Sequence, residues 1–160
     1  MNQPEILIVG AGGMGALFGS ILHENGLKVV LYDTNTEHIR AIQQAGLKIE
    51  GYGGDRTIPI AATSNLSELE SAEIIIFQCK SHGTRQAAKA VKPLITQESV
   101  CISFQNGLGN EEVMAEELGE DSVMGGLTAM AGVLLEPGKI RDFSRVPSHI
   151  GEMRGGISER

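Results

Sequence analysis

Three glycines recur with the spacing G-x-G-x-x-G in Gly10-Ala11-Gly12-Gly13-Met14-Gly15, directly after the apolar run Glu5–Val9 (EILIV). In that spacing each glycine has its own task. Gly10 permits a tight turn, Gly12 leaves the main chain bare, and Gly15 lets a following helix lie close on the strand. A helix opening there turns unpaired N–H groups and the positive end of its dipole toward the bare turn. The chemistry on offer is anion binding, and a dinucleotide pyrophosphate is the anion that suits a strand, this turn and a helix in succession. Alone the motif is weak, because 21 glycines in 160 residues produce accidents. Its place between a buried strand and a helix gives it weight. A turn that binds nothing is the bland alternative; FAD and S-adenosylmethionine are the other ligands to weigh.

An acidic residue is expected about 20 residues after such a turn. Asp33 stands 23 residues after Gly10, at the end of the run Lys28–Tyr32 (KVVLY). Its carboxylate suits the hydroxyls of an adenosine ribose and would repel a 2′-phosphate. Thr34 and Asn35 bring no arginine to hold such a phosphate, and Arg40 lies one helical turn further on. The residues therefore favour NAD(H) over NADP(H). The alternative is that Asp33 merely caps the next helix.

Two later loops carry polar residues where apolar runs end. Lys80, in Gln78-Cys79-Lys80-Ser81, can stabilise negative charge on a carbonyl oxygen or hold a ribose hydroxyl or a carboxylate. Asn106, in Gln105-Asn106-Gly107-Leu108-Gly109-Asn110, can donate and accept at a nicotinamide. Each also reads as ordinary loop chemistry, a solvated lysine and a turn dipeptide. His23, His38, His82 and His149 show no metal spacing and read as structural or exposed. Cys79 and Cys101 form no C-x-x-C pair and read as buried free thiols. Lys139, Arg141 and Arg145 are either a solvated strand face or a surface toward an anionic substrate.

Strands and helices must bring these loops together, and the apolar runs supply them. Glu5–Val9, Lys28–Tyr32, Glu73–Gln78 and Ser99–Phe104 read as strands buried on both faces. Gly13–Asn25, Asn35–Ala45, Ser81–Val91 and Glu111–Leu118 read as helices between or after them. Leu47–Glu50 and Thr57–Ala61 read as short strands, and Asn65–Glu68 has capping-box spacing. Glu136-Pro137-Gly138-Lys139 is a turn signal, with Ile140–Ile150 as the return strand of a hairpin. Such alternation implies an α/β, Rossmann-type, doubly wound and mostly parallel sheet. The hairpin is expected to add antiparallel strands at its C-terminal edge. One domain over 1–160 accounts for the length.

Aromatic residues are scarce, so the core is aliphatic. The net charge of −7 argues against nucleic acid as partner. No run approaches the ~20 apolar residues of a membrane helix. Nothing at the start resembles a secretion signal, so the expected location is the cytoplasm.

ILIVGAGGMGALFG, the Lys80 loop, QNGLGNEE, GGLTAMAG, LEPGKI and HIGE, in that order, resemble the amino-terminal domain of the ketopantoate (2-dehydropantoate 2-) reductases. The resemblance covers essentially the whole chain. It implies hydride transfer from a nicotinamide dinucleotide to the keto group of a small 2-keto acid, giving pantoate on the route to coenzyme A. It implies that Gly10, Gly12 and Gly15, with Ala11, Gly13 and Met14 between them, hold the pyrophosphate. It places Lys80 and Asn106 near nicotinamide and substrate. NADP(H) is the family norm, with an arginine soon after the second strand, where this chain has Asp33-Thr34-Asn35. The family also has a helical domain that supplies the general-acid lysine, and its place is beyond Arg160. No catalytic acid is therefore expected within this sequence. An apolar face left open by that domain would favour a homodimer. Two other functions stay open: a dehydrogenase of the opine or glycerol-phosphate type, and a dinucleotide-sensing module without chemistry.

Overall fold

The computed structural model describes residues 3–158. Along the chain run β1 (Ile6–Val9), α1 (Gly13–Glu24), β2 (Val29–Tyr32), α2 (Thr36–Ala45), β3 (Leu47–Gly51), β4 (Arg56–Ile58) and β5 (Ala61–Thr63). They are followed by β6 (Ile74–Phe77), α3 (Thr84–Val91), β7 (Val100–Ser103), α4 (Asn110–Leu118) and β8 (Val123–Leu127), and then by β9 (Ala131–Glu136), β10 (Lys139–Ser144) and β11 (His149–Glu152).

Seven strands form the main sheet in the order β11-β8-β7-β6-β1-β2-β5. All pairs are parallel except β11 on β8. The strand order turns back at β1, which lies between β2 and β6. In such a sheet a crevice opens beyond the carboxyl ends of the strands at that reversal. Successive residues of β1 face opposite layers. Ile6 and Ile8 pack with Leu17 and Phe18 of α1 and Ile39 and Ile42 of α2. Leu7 and Val9 pack with Ala88, Val91 and Met114 of α3 and α4. Burial on both faces is why the strand reads as an unbroken apolar run.

A second sheet, in the order β4-β3-β10-β9, covers α1 from the other side. Helix α1 is therefore held between two sheets. A Cβ on its Gly19 would come within 2.4 Å of Leu31 in the main sheet, and one on Gly13 within 2.5 Å of Val133 in β9. Glu24 at its end takes two bonds from the Arg56 guanidinium, 2.6 and 3.0 Å.

Two expectations need correction in detail. The hairpin around Pro137-Gly138 forms, but it joins the second sheet instead of extending the first. In register with Lys48–Gly51, β10 buries Ile140 in the core and sets Lys139 and Arg141 on Glu50. The antiparallel strand at the main sheet's edge is β11, separated from β10 by a segment containing Pro147. Likewise Thr57–Ala61 is not one strand. Pro59 has no N–H to give a ladder, and the chain leaves one sheet at β4 and enters the other at β5.

Candidate functional site

A cleft of about 720 Å³ opens over the carboxyl ends of β1, β2 and β6. Gly10, Gly12, Asp33 and Lys80 all line it. Its position matches the reversal in strand order.

The glycines of the first turn differ in what they face. Gly10 has φ +97°, and a Cβ there would lie 2.5 Å from the Cys79 backbone nitrogen. On Gly15 a Cβ would lie 1.9 Å from the Gly10 carbonyl oxygen. These two are glycine because the protein leaves no room. Gly12 is the exception: its φ is −62°, and nothing lies within 4 Å of where its Cβ would be. Neither backbone strain nor packing requires glycine there, and the open space is on the cleft. Gly12 also caps α1 with no side-chain hydrogen bond, and no acidic residue occupies the helix's first turn. The first amides of α1 are left for an external acceptor. This arrangement fits a diphosphate.

The intervening residues support the turn. Ala11 is buried, and its carbonyl accepts from His38 Nε2 at 2.8 Å. Gly13 packs on β9, and Met14 packs on the core between the sheets. The His38 ring also accepts at Nδ1 from the Gly138 N–H, 2.9 Å away. One imidazole thus clamps the glycine turn to the β9–β10 hairpin, with its proton on Nε2. The reading of His38 as structural or exposed resolves to structural, but its partners could not be named from the sequence, because one 100 residues away leaves no local pattern.

Asp33 is half-buried at the end of β2, and its Oδ1 accepts from the Asn35 N–H at 2.9 Å. Asn35, not Asp33, caps α2, accepting from the His38 N–H at 3.1 Å. Burial, and then the Asp33 charge, push the neighbouring Tyr32 phenol above its usual range. Lys80 is exposed on the rim of the cleft. Asn106 does not line it; it is exposed on the loop after β7. The structure therefore gathers four of the expected site residues and leaves Asn106 on the neighbouring loop.

Cys79 is only half-buried, at the cleft wall, and Cys101 is fully buried. Burial pushes both thiols up, Cys101 to about 12. Both stay protonated at neutral pH, so neither is a ready nucleophile. His82 lines the cleft from the short turn Ser81–Gly83 that precedes α3. Lys139 and Arg141 pair with Glu50, and Arg145 pairs with Asp142 at 2.8 Å. Among the described residues no group of His, Cys, Asp and Glu is arranged to hold a metal, and no helix is long and apolar enough to cross a membrane.

The family model for ketopantoate reductase PanE/ApbA matches residues 6–155. The chain belongs to the ketopantoate reductase family. A 2-dehydropantoate 2-reductase of Pyrococcus abyssi is 35% identical over 137 residues, which is 86% of this chain and 44% of that protein. One from Lactococcus lactis is 31% identical over 87% of this chain and 45% of its own length. The chain spans about half the length of the curated relatives it matches. Among solved structures, a 2-dehydropantoate 2-reductase from Geobacter metallireducens superposes with a TM-score of 0.85 at 28% identity, covering 92% of this chain and 48% of that one. A D-mandelate dehydrogenase solved with NADH and anilino(oxo)acetate gives 0.80 at 25% identity, covering 91% of this chain and 47% of that one.

Proposed function

We propose that this chain is the cofactor-binding half of a ketopantoate reductase, holding NAD(P)H for reduction of 2-dehydropantoate to pantoate. The supporting observation is the empty space at Gly12 against the uncapped start of α1, in a member of this family. When bound, the dihydronicotinamide supplies the hydride for the keto carbon. The chain's own residues bind and orient. The bare turn over Gly10–Gly15 and the α1 amides hold the diphosphate. The Asp33 carboxylate accepts from the adenosine ribose hydroxyls. Lys80 brings a positive charge toward oxygen on cofactor or substrate, and Asn106 offers donor and acceptor at the reacting end. No residue here is assigned as general acid.

Calorimetric titration with NADH and NADPH tests the reading. Saturable binding of at least one is expected, and failure of both overturns it. For cofactor choice, Asp33 favours NADH. Combining Asp33→Ala with Thr34→Arg is expected to move the NADPH-to-NADH affinity ratio at least tenfold toward NADPH, about 1.4 kcal/mol. A wild-type chain that already binds NADPH tenfold more tightly refutes the role given to Asp33.

One observation favours a second reading, reduction of a different 2-keto acid. It is the similarity to a D-mandelate dehydrogenase solved with NADH. A panel of 2-keto acids offered to the enzyme that contains this chain separates the two. Turnover of arylglyoxylates without turnover of ketopantoate selects the second.

A further inference from the structure

Lys80 and Asn106 sit on loops that leave two neighbouring parallel strands, β6 and β7. Both are exposed, so packing does not fix where either side chain goes. Behind them lie three polar side chains buried almost completely: Thr84 at 1%, Gln105 at 9% and Asn110 at 4% exposure. Gln105 Nε2 donates to the Cys79 carbonyl and to Thr84 Oγ1, each at 2.8 Å. Thr84 Oγ1 donates to Asn110 Oδ1 at 3.1 Å. Asn110 Nδ2 donates to the Asn106 carbonyl at 3.1 Å.

The direction of every bond in this chain is determined. Both ends are backbone carbonyls, which only accept. The Cys79 carbonyl sets the Gln105 amide, and the Asn106 carbonyl sets the Asn110 amide. The Thr84 hydroxyl must then accept from Gln105 and donate to Asn110, and it does both. Burying three polar side chains is costly unless each is satisfied. Once satisfied, such a network admits one arrangement of the segments it joins. It ends on the residue before Lys80 at one side and on Asn106 itself at the other.

The geometry points to Thr84, with Gln105 and Asn110, as positioning residues that hold the Lys80 and Asn106 loops in one fixed relation. This rests on the reading that Lys80 and Asn106 serve cofactor and substrate. Thr84 touches neither ligand; it acts through the two loops.

Four substitutions in the full chain test it, read by backbone 15N order parameters and by NAD(P)H titration. Thr84→Val keeps the shape and removes the hydroxyl. It is expected to lower the backbone order parameters of both 80–83 and 106–109 from near the ~0.85 of a rigid backbone toward the ~0.6 of a flexible one, and to weaken cofactor binding about fivefold, the scale of one lost hydrogen bond. Thr84→Ser keeps the hydroxyl and is expected to leave both loops as ordered as in wild type and cofactor affinity within twofold of it. Asn110→Asp keeps the acceptor for Thr84 and replaces the donor to the Asn106 and Gly107 carbonyls with an oxygen that repels them. Its charge is tolerated at the start of α4. It is expected to free 106–109 alone, and this asymmetry serves if Thr84→Val fails to fold. Lys80→Met, which weakens binding in wild type, is expected to change it less than twofold in the Thr84→Val background. The inference is overturned if Thr84→Val leaves both loops as ordered as in wild type, if Thr84→Ser behaves like Thr84→Val, if Asn110→Asp frees both loops equally, or if Lys80→Met and Thr84→Val act additively. Order parameters need no cofactor. A wild-type chain that binds neither nucleotide would therefore sink the earlier reading without being mistaken for failure of this one.

Discussion

Gly12→Val is expected to abolish nucleotide binding while leaving the protein folded. The position has an extended backbone open to any residue, and its Cβ would meet nothing within 4 Å. Folding therefore has no objection to a side chain there, and restricting the unfolded chain favours the variant slightly. The space the side chain enters is the cleft surface at the start of α1. A diphosphate held by those amides must then retreat by a methyl group or more. Hydrogen bonds to a charged acceptor contribute about 1.5–3 kcal/mol each, and losing more than one costs at least a hundredfold in affinity, roughly 3 kcal/mol. Calorimetric titration beside a thermal melt checks both halves. An unchanged affinity with an unchanged melt would remove the diphosphate from this turn.

Gly15→Ala is expected to do the reverse, damaging the fold first. In most helices this change is favourable by about 0.5–1 kcal/mol. Here the new carbon would come 1.9 Å from the Gly10 carbonyl oxygen, which is backbone and cannot rotate away. Gly10 is itself tied by its N–H to Tyr32 O at 2.9 Å and abuts the Cys79 backbone. Relief requires α1 to lift from β1, and β9 packed behind Gly13 resists that. Overpacking of this severity lies at or above the usual 1–3 kcal/mol range. A net loss of about 3 kcal/mol lowers the melting temperature of a chain this size by roughly 10 °C. Scanning calorimetry reads it directly, and a melting temperature equal to or above wild type contradicts the tight seat of α1.

What the sequence displays openly is what depends on neighbouring residues. The apolar runs of β1, β2, β6 and β7 and the helices between them are legible because period and burial repeat within a few positions. Gly10, Gly12, Asp33 and Lys80 are legible as cleft residues because each lies within three residues of the end of one of those strands. The second sheet is not legible. Its central pair joins Lys48–Gly51 to Lys139–Asp142, and nothing near either segment announces the other. The same holds for His38, whose two partners come from Ala11 and Gly138. It holds for Thr84, Gln105 and Asn110, which look like ordinary polar residues until the fold stacks their loops. Asn106 shows the converse: a strong local signal, on a loop the cleft does not include.

The pairing of β3 with β10 has a consequence for synthesis. The glycine turn is encoded within the first fifteen residues, yet the His38 ring that holds its Ala11 carbonyl and the outer side of α1 are braced by residues from 131 onward. A nascent chain can lay down β1, α1 and β2 early, since those contacts are short-range, but the long-range pairing must wait. The glycine turn therefore gains its outer brace only after the hairpin clears the ribosome. Until then, a half-made polypeptide carries the glycine signature without its rigid seat.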